Sequence, residues 1–155
     1  MKTAIASIAA ASLFSLGVLG TTPAAAYHLT PENSKFKGKG HTSAVKNGIS
    51  LACRAKFTGT VDKNGVGYVT GGTFTGQVGC SSVTLSNLPW PGTATGKKTV
   101  ELDNVTFSTP IGDCGPGSIT TKLVDGVIKF NAAPLAGGCM VSGKIHTDPV
   151  LAIVK

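Results

Sequence analysis

The chain has 155 residues, a formal net charge of +7 and a charged fraction of only 14%. Glycine is abundant at 21 residues, whereas aromatic residues make up 6%. This composition is typical of short strands joined by tight turns, and no segment after the first 26 residues has a helical period. The sequence therefore argues against a helical protein.

The first 26 residues have the pattern of a secretory signal. Lys2 precedes an apolar run from Ala4 to Gly20, and the stretch ends in Ala24-Ala25-Ala26. An uncleaved membrane anchor is the alternative, but the many alanines and serines make the run only mildly hydrophobic. We expect cleavage before Tyr27, which leaves 129 residues as a single exported domain, located in the periplasm, at the cell surface or outside the cell.

The four cysteines all lie after the predicted signal, where the compartment oxidises thiols. Every gap between them exceeds twenty residues, which disfavours a zinc site. Two disulfides are expected, and four cysteines allow three pairings. Cys53 and Cys139 occupy the apolar faces of strands with matching patterns, which favours a bridge between them and a second one between Cys80 and Cys114.

Three turn dipeptides predict hairpins: Asn47-Gly48, Asn64-Gly65 and Asp125-Gly126. Residues 49–61 alternate between apolar and polar, as in a half-buried strand. An irregularity at Asp103-Asn104 would bring the two flanking apolar sets into phase. About eight strands are expected in all, forming an antiparallel β-sandwich or a flattened barrel.

Basic side chains are concentrated in residues 27–63, where seven face only two acidic ones. Lys35, Lys37, Lys39 and His41 alternate along the chain, so an extended strand would project all four from one face. Such a row is typical of a solvated edge strand that resists pairing with other chains. The alternative is a contact for anionic partners such as lipopolysaccharide, acidic polysaccharide or lipid phosphate.

The segment Leu88-Pro89-Trp90-Pro91 holds the single tryptophan of the chain. Two prolines remove backbone donors, so we expect a loop or an edge here rather than an interior strand. The whole stretch from Cys80 to Cys114 would then be a bridged excursion from the β-domain. Trp90 either plugs one end of the domain or forms an exposed apolar tip that touches hydrocarbon, a membrane surface or a sugar.

Catalytic patterns are missing from the sequence. It has neither the Gly-x-Ser-x-Gly elbow of hydrolases nor a glycine-rich loop between a strand and a helix. We therefore predict no enzyme activity, no metal and no cofactor. Nucleic acid is not an expected partner, because no aromatic residues recur along a basic groove.

Several segments together resemble the protein activators of alkane oxidation, small exported proteins of hydrocarbon-degrading bacteria. They are the predicted signal, residues 47–53 and 57–61, Leu88-Pro89-Trp90, Cys114-Gly115-Pro116 and residues 135–143. The resemblance covers most of the chain after the signal. It implies a non-enzymatic accessory role in growth on long-chain alkanes, through contact with the hydrocarbon or its dispersal, and it supplies no catalytic residues.

Two readings from other classes remain open. The apolar strand expected at Val150 to Val154 is either covered on two faces or waits for a partner, as in a subunit that assembles into fibres or a surface layer. The other reading is a carbohydrate-binding module that uses Trp90 and Tyr68.

Overall fold

The computed structural model describes residues 26–155. The predicted signal peptide, apart from Ala26, lies outside these residues. The described part of the chain contains eleven strands and one short 3-10 turn at Cys80–Ser82. The strands are β1 (His28–Thr30), β2 (Ser34–Lys46), β3 (Ile49–Val61), β4 (Gly67–Gly76), β5 (Thr84–Ser86), β6 (Trp90–Gly96), β7 (Thr99–Thr109), β8 (Gly112–Val124), β9 (Val127–Leu135), β10 (Cys139–Asp148) and β11 (Ala152–Val154).

Eight of the described strands form a closed antiparallel barrel. Their order around the wall is β7, β6, β4, β3, β2, β10, β9 and β8, and pairing of β8 with β7 closes the ring. The short strand β5 pairs with the second half of β7. The predicted all-β fold is confirmed, in its barrel form. Within the described part, no helix is long and apolar enough to cross a membrane.

The turn dipeptides determine where the chain reverses. Asn47-Gly48 and Asp125-Gly126 form two-residue turns in which all four residues have positive φ. Asn64-Gly65 lies in a longer connection, in which the Asp62 carboxylate accepts a hydrogen bond from the Asn64 backbone N–H at 2.8 Å. The three predicted hairpins are confirmed. The expected irregularity at residues 103–104 is confirmed as a register shift in β7 between Leu102 and Val105.

Alternating residues of each strand fill the barrel interior. On β3, Leu51, Cys53, Ala55 and Val61 are buried, as the predicted alternation requires. Neighbouring strands also approach closely, because a side chain at Gly40 of β2 would collide with the Lys144 carbonyl oxygen of β10. Glycine at that position therefore lets the wall curve into a narrow barrel.

The two ends of the barrel differ. One end, the sealed end, is covered by a small sheet in which β1 pairs with β11, and Leu29 and Leu151 are buried there. His28 is part of this sheet, as the first residue of β1. The C-terminal strand is paired within its own chain, because β1 supplies the partner that the sequence pattern left open.

The opposite end, the disulfide end, holds both bridges. Cys53 is bonded to Cys80 and Cys114 to Cys139, each with a Cα–Cα distance of 5.7 Å. All four cysteines are bridged as predicted, but the predicted pairing is wrong.

The barrel geometry explains the error in pairing. Cys53 and Cys139 lie on strands that flank β2, opposite Thr42 and Lys46 respectively. They are therefore about two strand spacings apart and offset by about 13 Å along the strands. That separation is far beyond the reach of a disulfide.

Candidate functional site

Trp90 lies inside the barrel. Its side chain is 4% exposed, belongs to the main core cluster, and donates a hydrogen bond from Nε1 to the Ser86 carbonyl oxygen at 2.8 Å. A buried indole needs such an acceptor. Of the two predictions for Trp90, the buried plug therefore agrees with the structure. The burial of the ring contradicts the other prediction, an exposed contact point.

The segment around Trp90 is also more regular than expected. Trp90 and Pro91 begin strand β6 and pair only with β4, so they lie on an edge as predicted, whereas Leu88 and Pro89 lie in the preceding loop. Pro91 is tolerated because its ladder partner, Tyr68, lies on the β4 side, whereas pairing with β7 starts only at Gly92. Residues 80–114 supply three strands of the sheet and are not an excursion from it.

Only two residues of the predicted apolar contact are well exposed. Leu88 is 37% exposed and Pro89 is exposed, whereas Pro91 is half-buried. Leu88 and Pro89 together therefore expose only a small apolar surface.

A larger group of exposed apolar side chains lies at the disulfide end. We call it the apolar rim: Val45 (38% exposed), Ile49 (56%), Val78 (97%) and Met140 (46%). Val45 and Met140 are directly opposite each other on β2 and β10, so their side chains are neighbours.

The rest of the rim comes from two connecting segments. Ile49 follows the β2–β3 turn, and Val78 follows Gln77, whose side-chain oxygen accepts the Ala52 backbone N–H at 3.2 Å. Sequence reasoning missed the rim because each member looks ordinary in its own strand or loop. The available signal was the repeated placement of apolar residues beside turns that meet at one end.

The four basic residues predicted to share a face do so, but the expected edge strand is wrong, because β2 pairs with β3 on one side and with β10 on the other. Lys35, Lys37, Lys39 and His41 are all exposed on the outer side of β2. The structure adds further cations on the neighbouring strands. Together they form what we call the cationic face: Lys35, Lys37, Lys39, His41, Arg54, Lys56, Lys122, Lys129 and Lys144, all of them exposed.

The strand register aligns these cations across the wall. One row runs through five strands, each residue directly opposite the next: Arg54, His41, Lys144, Lys129 and Lys122. At about 4.8 Å per strand, the row follows the curved wall for about 19 Å, which is half of the circumference of the ring. A second pair on the same wall places Lys39 opposite Lys56. The sequence predicted only the members on β2, because the register of distant strands is not a local property.

Little negative charge offsets this face. Among the register partners of its residues in the described strands, the single carboxylate is Asp148, opposite Lys37. Within residues 26–155, the single contact within 4.0 Å between a basic and an acidic side chain joins His28 to Glu32, neither of which belongs to the cationic face. Like charges at opposed positions destabilise a sheet. The protein therefore carries an excess of positive charge on the outer side of five neighbouring strands.

Metal chemistry has no structural support in the part of the chain that is described. Across residues 26–155, no group of three or more His, Cys, Asp and Glu residues has a geometry that would hold a metal ion. All four cysteines are bridged and contribute no thiolate ligand.

The fold and these surfaces define a class: a small, disulfide-bonded, all-β barrel with an apolar rim at one end and a cationic face on its outer side. A family model described as "Alkane oxidation protein activator PraA/PraB-like" matches residues 1–155. The chain therefore belongs to this family, which confirms the family predicted from the sequence segments. Comparisons with curated proteins and with solved structures give no significant match.

Proposed function

We propose that this protein is an exported, non-enzymatic accessory factor for alkane utilisation that holds hydrocarbon against the cell surface. The observation that carries the proposal is the presence of two chemically different surfaces on one closed barrel. The apolar rim suits hydrocarbon, and the cationic face suits an anionic surface. Membership of the alkane oxidation activator family supplies the biological context.

The rim has enough exposed apolar surface for measurable adsorption to oil. Full burial of a valine, isoleucine or methionine side chain contributes about 1.5 to 3 kcal/mol. Scaled by the exposed fractions of Val45, Ile49, Val78 and Met140, transfer of the rim into hydrocarbon contributes about 5 kcal/mol. That is sufficient for reversible adsorption and too little for permanent insertion.

The cationic face would bind the cell envelope. Each lysine or arginine near an anionic lipid surface contributes about 1 kcal/mol of attraction. Val45 and His41 lie on the same strand, four residues apart, so the two surfaces are separated by about 13 Å. A barrel bound to the cell envelope through its cationic face would therefore keep its apolar rim within reach of an oil droplet.

Export is the part of the proposal supported by the cysteines. Two disulfides fit an oxidising location. The predicted signal at residues 1–26 gives the same expectation from an independent part of the sequence.

The alternative functions lose the features on which they depended. The fibre-subunit reading needs a strand without a partner, and β11 is already paired with β1. The carbohydrate reading needs an exposed ring at Trp90, which is buried, while the half-buried Tyr68 directs its hydroxyl to the Asp62 carboxylate at 3.4 Å. Contact with hydrocarbon through the rim keeps all of its required residues accessible.

Adsorption at a hexadecane–buffer interface tests the proposal, measured by pendant-drop interfacial tension. The double variant Ile49→Asp/Val78→Asp removes about 3 kcal/mol of transfer free energy, so its adsorption constant should fall about 100-fold. Val150→Asp is the control for an aspartate introduced outside the rim, since Val150 is 63% exposed and precedes β11 at the sealed end. Wild-type protein without surface activity, or equal losses in variant and control, would reject hydrocarbon contact through the rim.

A further inference from the structure

A cavity of about 150 Å³ lies between the strands of the barrel. Its lining is almost entirely apolar and includes Trp90, Val105, Phe107, Phe130 and Val141. Protein interiors are normally packed with few voids larger than a water molecule, and an empty cavity lowers stability. A void of this size at the centre of a small barrel therefore needs an explanation.

The two buried hydroxyls in the lining of the cavity are already bonded elsewhere. Thr121 donates its hydroxyl to the Val100 carbonyl oxygen at 2.9 Å, and Thr147 donates to the Gly126 carbonyl oxygen at 2.8 Å. Within residues 26–155, no buried side-chain nitrogen or oxygen lacks a hydrogen-bond partner. A buried water molecule needs two to four polar partners. The cavity therefore favours an apolar occupant over water.

The barrel wall offers a route to the cavity at one seam. Strand β4 pairs with β6 only from Gly67 to Val69, and the described strands provide no ladder partner on that side for residues 70–76. Side chains close the gap instead, since a Cβ atom at Gly72 would lie 2.9 Å from Leu85 Cδ1. Side-chain contacts open more easily than a continuous backbone ladder.

We propose that this cavity is a binding site for a small apolar molecule of about six carbon atoms, such as benzene or n-hexane. An apolar cavity of about this volume stays dry and binds benzene or xenon. A long-chain alkane exceeds the volume, so the site differs from the rim in ligand as well as in position. The inference does not rest on the proposed function, because ligand binding in the core requires no adsorption to oil.

Benzene is the probe for the first test, added to the purified protein with its disulfides intact. We expect saturable binding with a dissociation constant of about 1 mM. At ten times that concentration the thermal midpoint should rise by about 4 °C. Absence of both saturable binding and a thermal shift would overturn the proposal.

The variant Ala44→Leu directs a larger side chain into the cavity, and Ala152→Leu makes the same change at an exposed position of β11, outside the cavity and the apolar rim. Benzene binding should weaken at least tenfold in the first variant and stay unchanged in the second. Equal binding by both variants would place benzene outside the cavity.

A measurement on the wild type decides the matter even if Ala44→Leu does not fold. Nuclear Overhauser effects from benzene to the Val105 and Val141 methyl groups would support the core site. Effects confined to exposed groups such as Val78 would overturn it. Binding of benzene by a protein that does not adsorb to hexadecane would reject the proposed function and leave the cavity site standing.

Discussion

Replacing Trp90 by phenylalanine tests whether this residue is a structural plug. The substitution keeps an aromatic ring but removes the Nε1 donor to Ser86 and part of the ring volume. The lost hydrogen bond contributes about 1 kcal/mol, since Ser86 is exposed and water can replace the donor. The smaller ring adds a cavity cost of about 1 to 2 kcal/mol, so the free energy of unfolding should fall by about 2 to 3 kcal/mol.

Urea unfolding followed by far-ultraviolet circular dichroism measures this change. Since Trp90 is the single tryptophan, acrylamide quenching of the wild type reports its burial directly. We expect weak quenching, and we expect the folded Trp90→Phe protein to adsorb to hexadecane like the wild type. A stability change below about 0.5 kcal/mol, within the range of ordinary surface substitutions, would refute the plug assignment. Strong quenching of the wild type would refute it as well.

Three further predictions concern the bridges, one glycine and the cationic face. Peptide mapping without reduction should recover Cys53 linked to Cys80 and Cys114 linked to Cys139, and recovery of a Cys53–Cys139 peptide would contradict the fold. Replacing either pair by alanine should lower the free energy of unfolding in urea by about 3.5 kcal/mol. The two losses should be similar, because the bridges close loops of similar length, with sequence separations of 27 and 25. Gly115→Ala should lower the free energy of unfolding by about 3 kcal/mol, since φ is +87° and a Cβ would collide with the Val105 carbonyl oxygen. Gly48 has open space around it, so Gly48→Ala should cost about 1 kcal/mol in the same assay. Equal costs would show that the backbone does not approach Gly115 as closely as described. Lys129→Ser/Lys144→Ser should lower the affinity for anionic phospholipid vesicles about 30-fold at low salt, measured by co-sedimentation. The control Lys97→Ser/Lys98→Ser removes two exposed lysines from the turn between β6 and β7 and should leave this affinity unchanged. Binding that is insensitive to salt would argue against an electrostatic contact.

Local features of the fold were predictable from the sequence. The turn dipeptides at residues 47–48 and 125–126 fix positive φ angles by themselves, and the alternation of residues 49–61 follows from burial of one strand face. The irregularity at residues 103–104 was also predictable, because two apolar sets out of phase need an extra residue between them.

Features that depend on distant strands were not predictable. The disulfide pairing follows from which strands are neighbours, and sequence alone did not reveal that β2 separates Cys53 from Cys139. The row of cations from Arg54 to Lys122 likewise appears only when five strands are placed in register. The same holds for the rim, whose members come from separate turns that meet at one end.

The sequence left both burial and exposure of Trp90 open, because burial also depends on residues that are distant along the chain. Two flanking prolines are compatible with an exposed loop and with the first residues of a strand that has a ladder on one side only. The sequence does not state which residues lie on the other side, and the structure places the ring in the core.

Growth of a deletion strain on hexadecane and on succinate tests the central claim most directly. We predict slower growth on hexadecane alone, restored by the wild-type chain and by Val150→Asp. The rim variant Ile49→Asp/Val78→Asp should not restore it. Equal growth of the deletion strain and its parent on hexadecane, or full rescue by the rim variant, would contradict a role in alkane utilisation through the apolar rim.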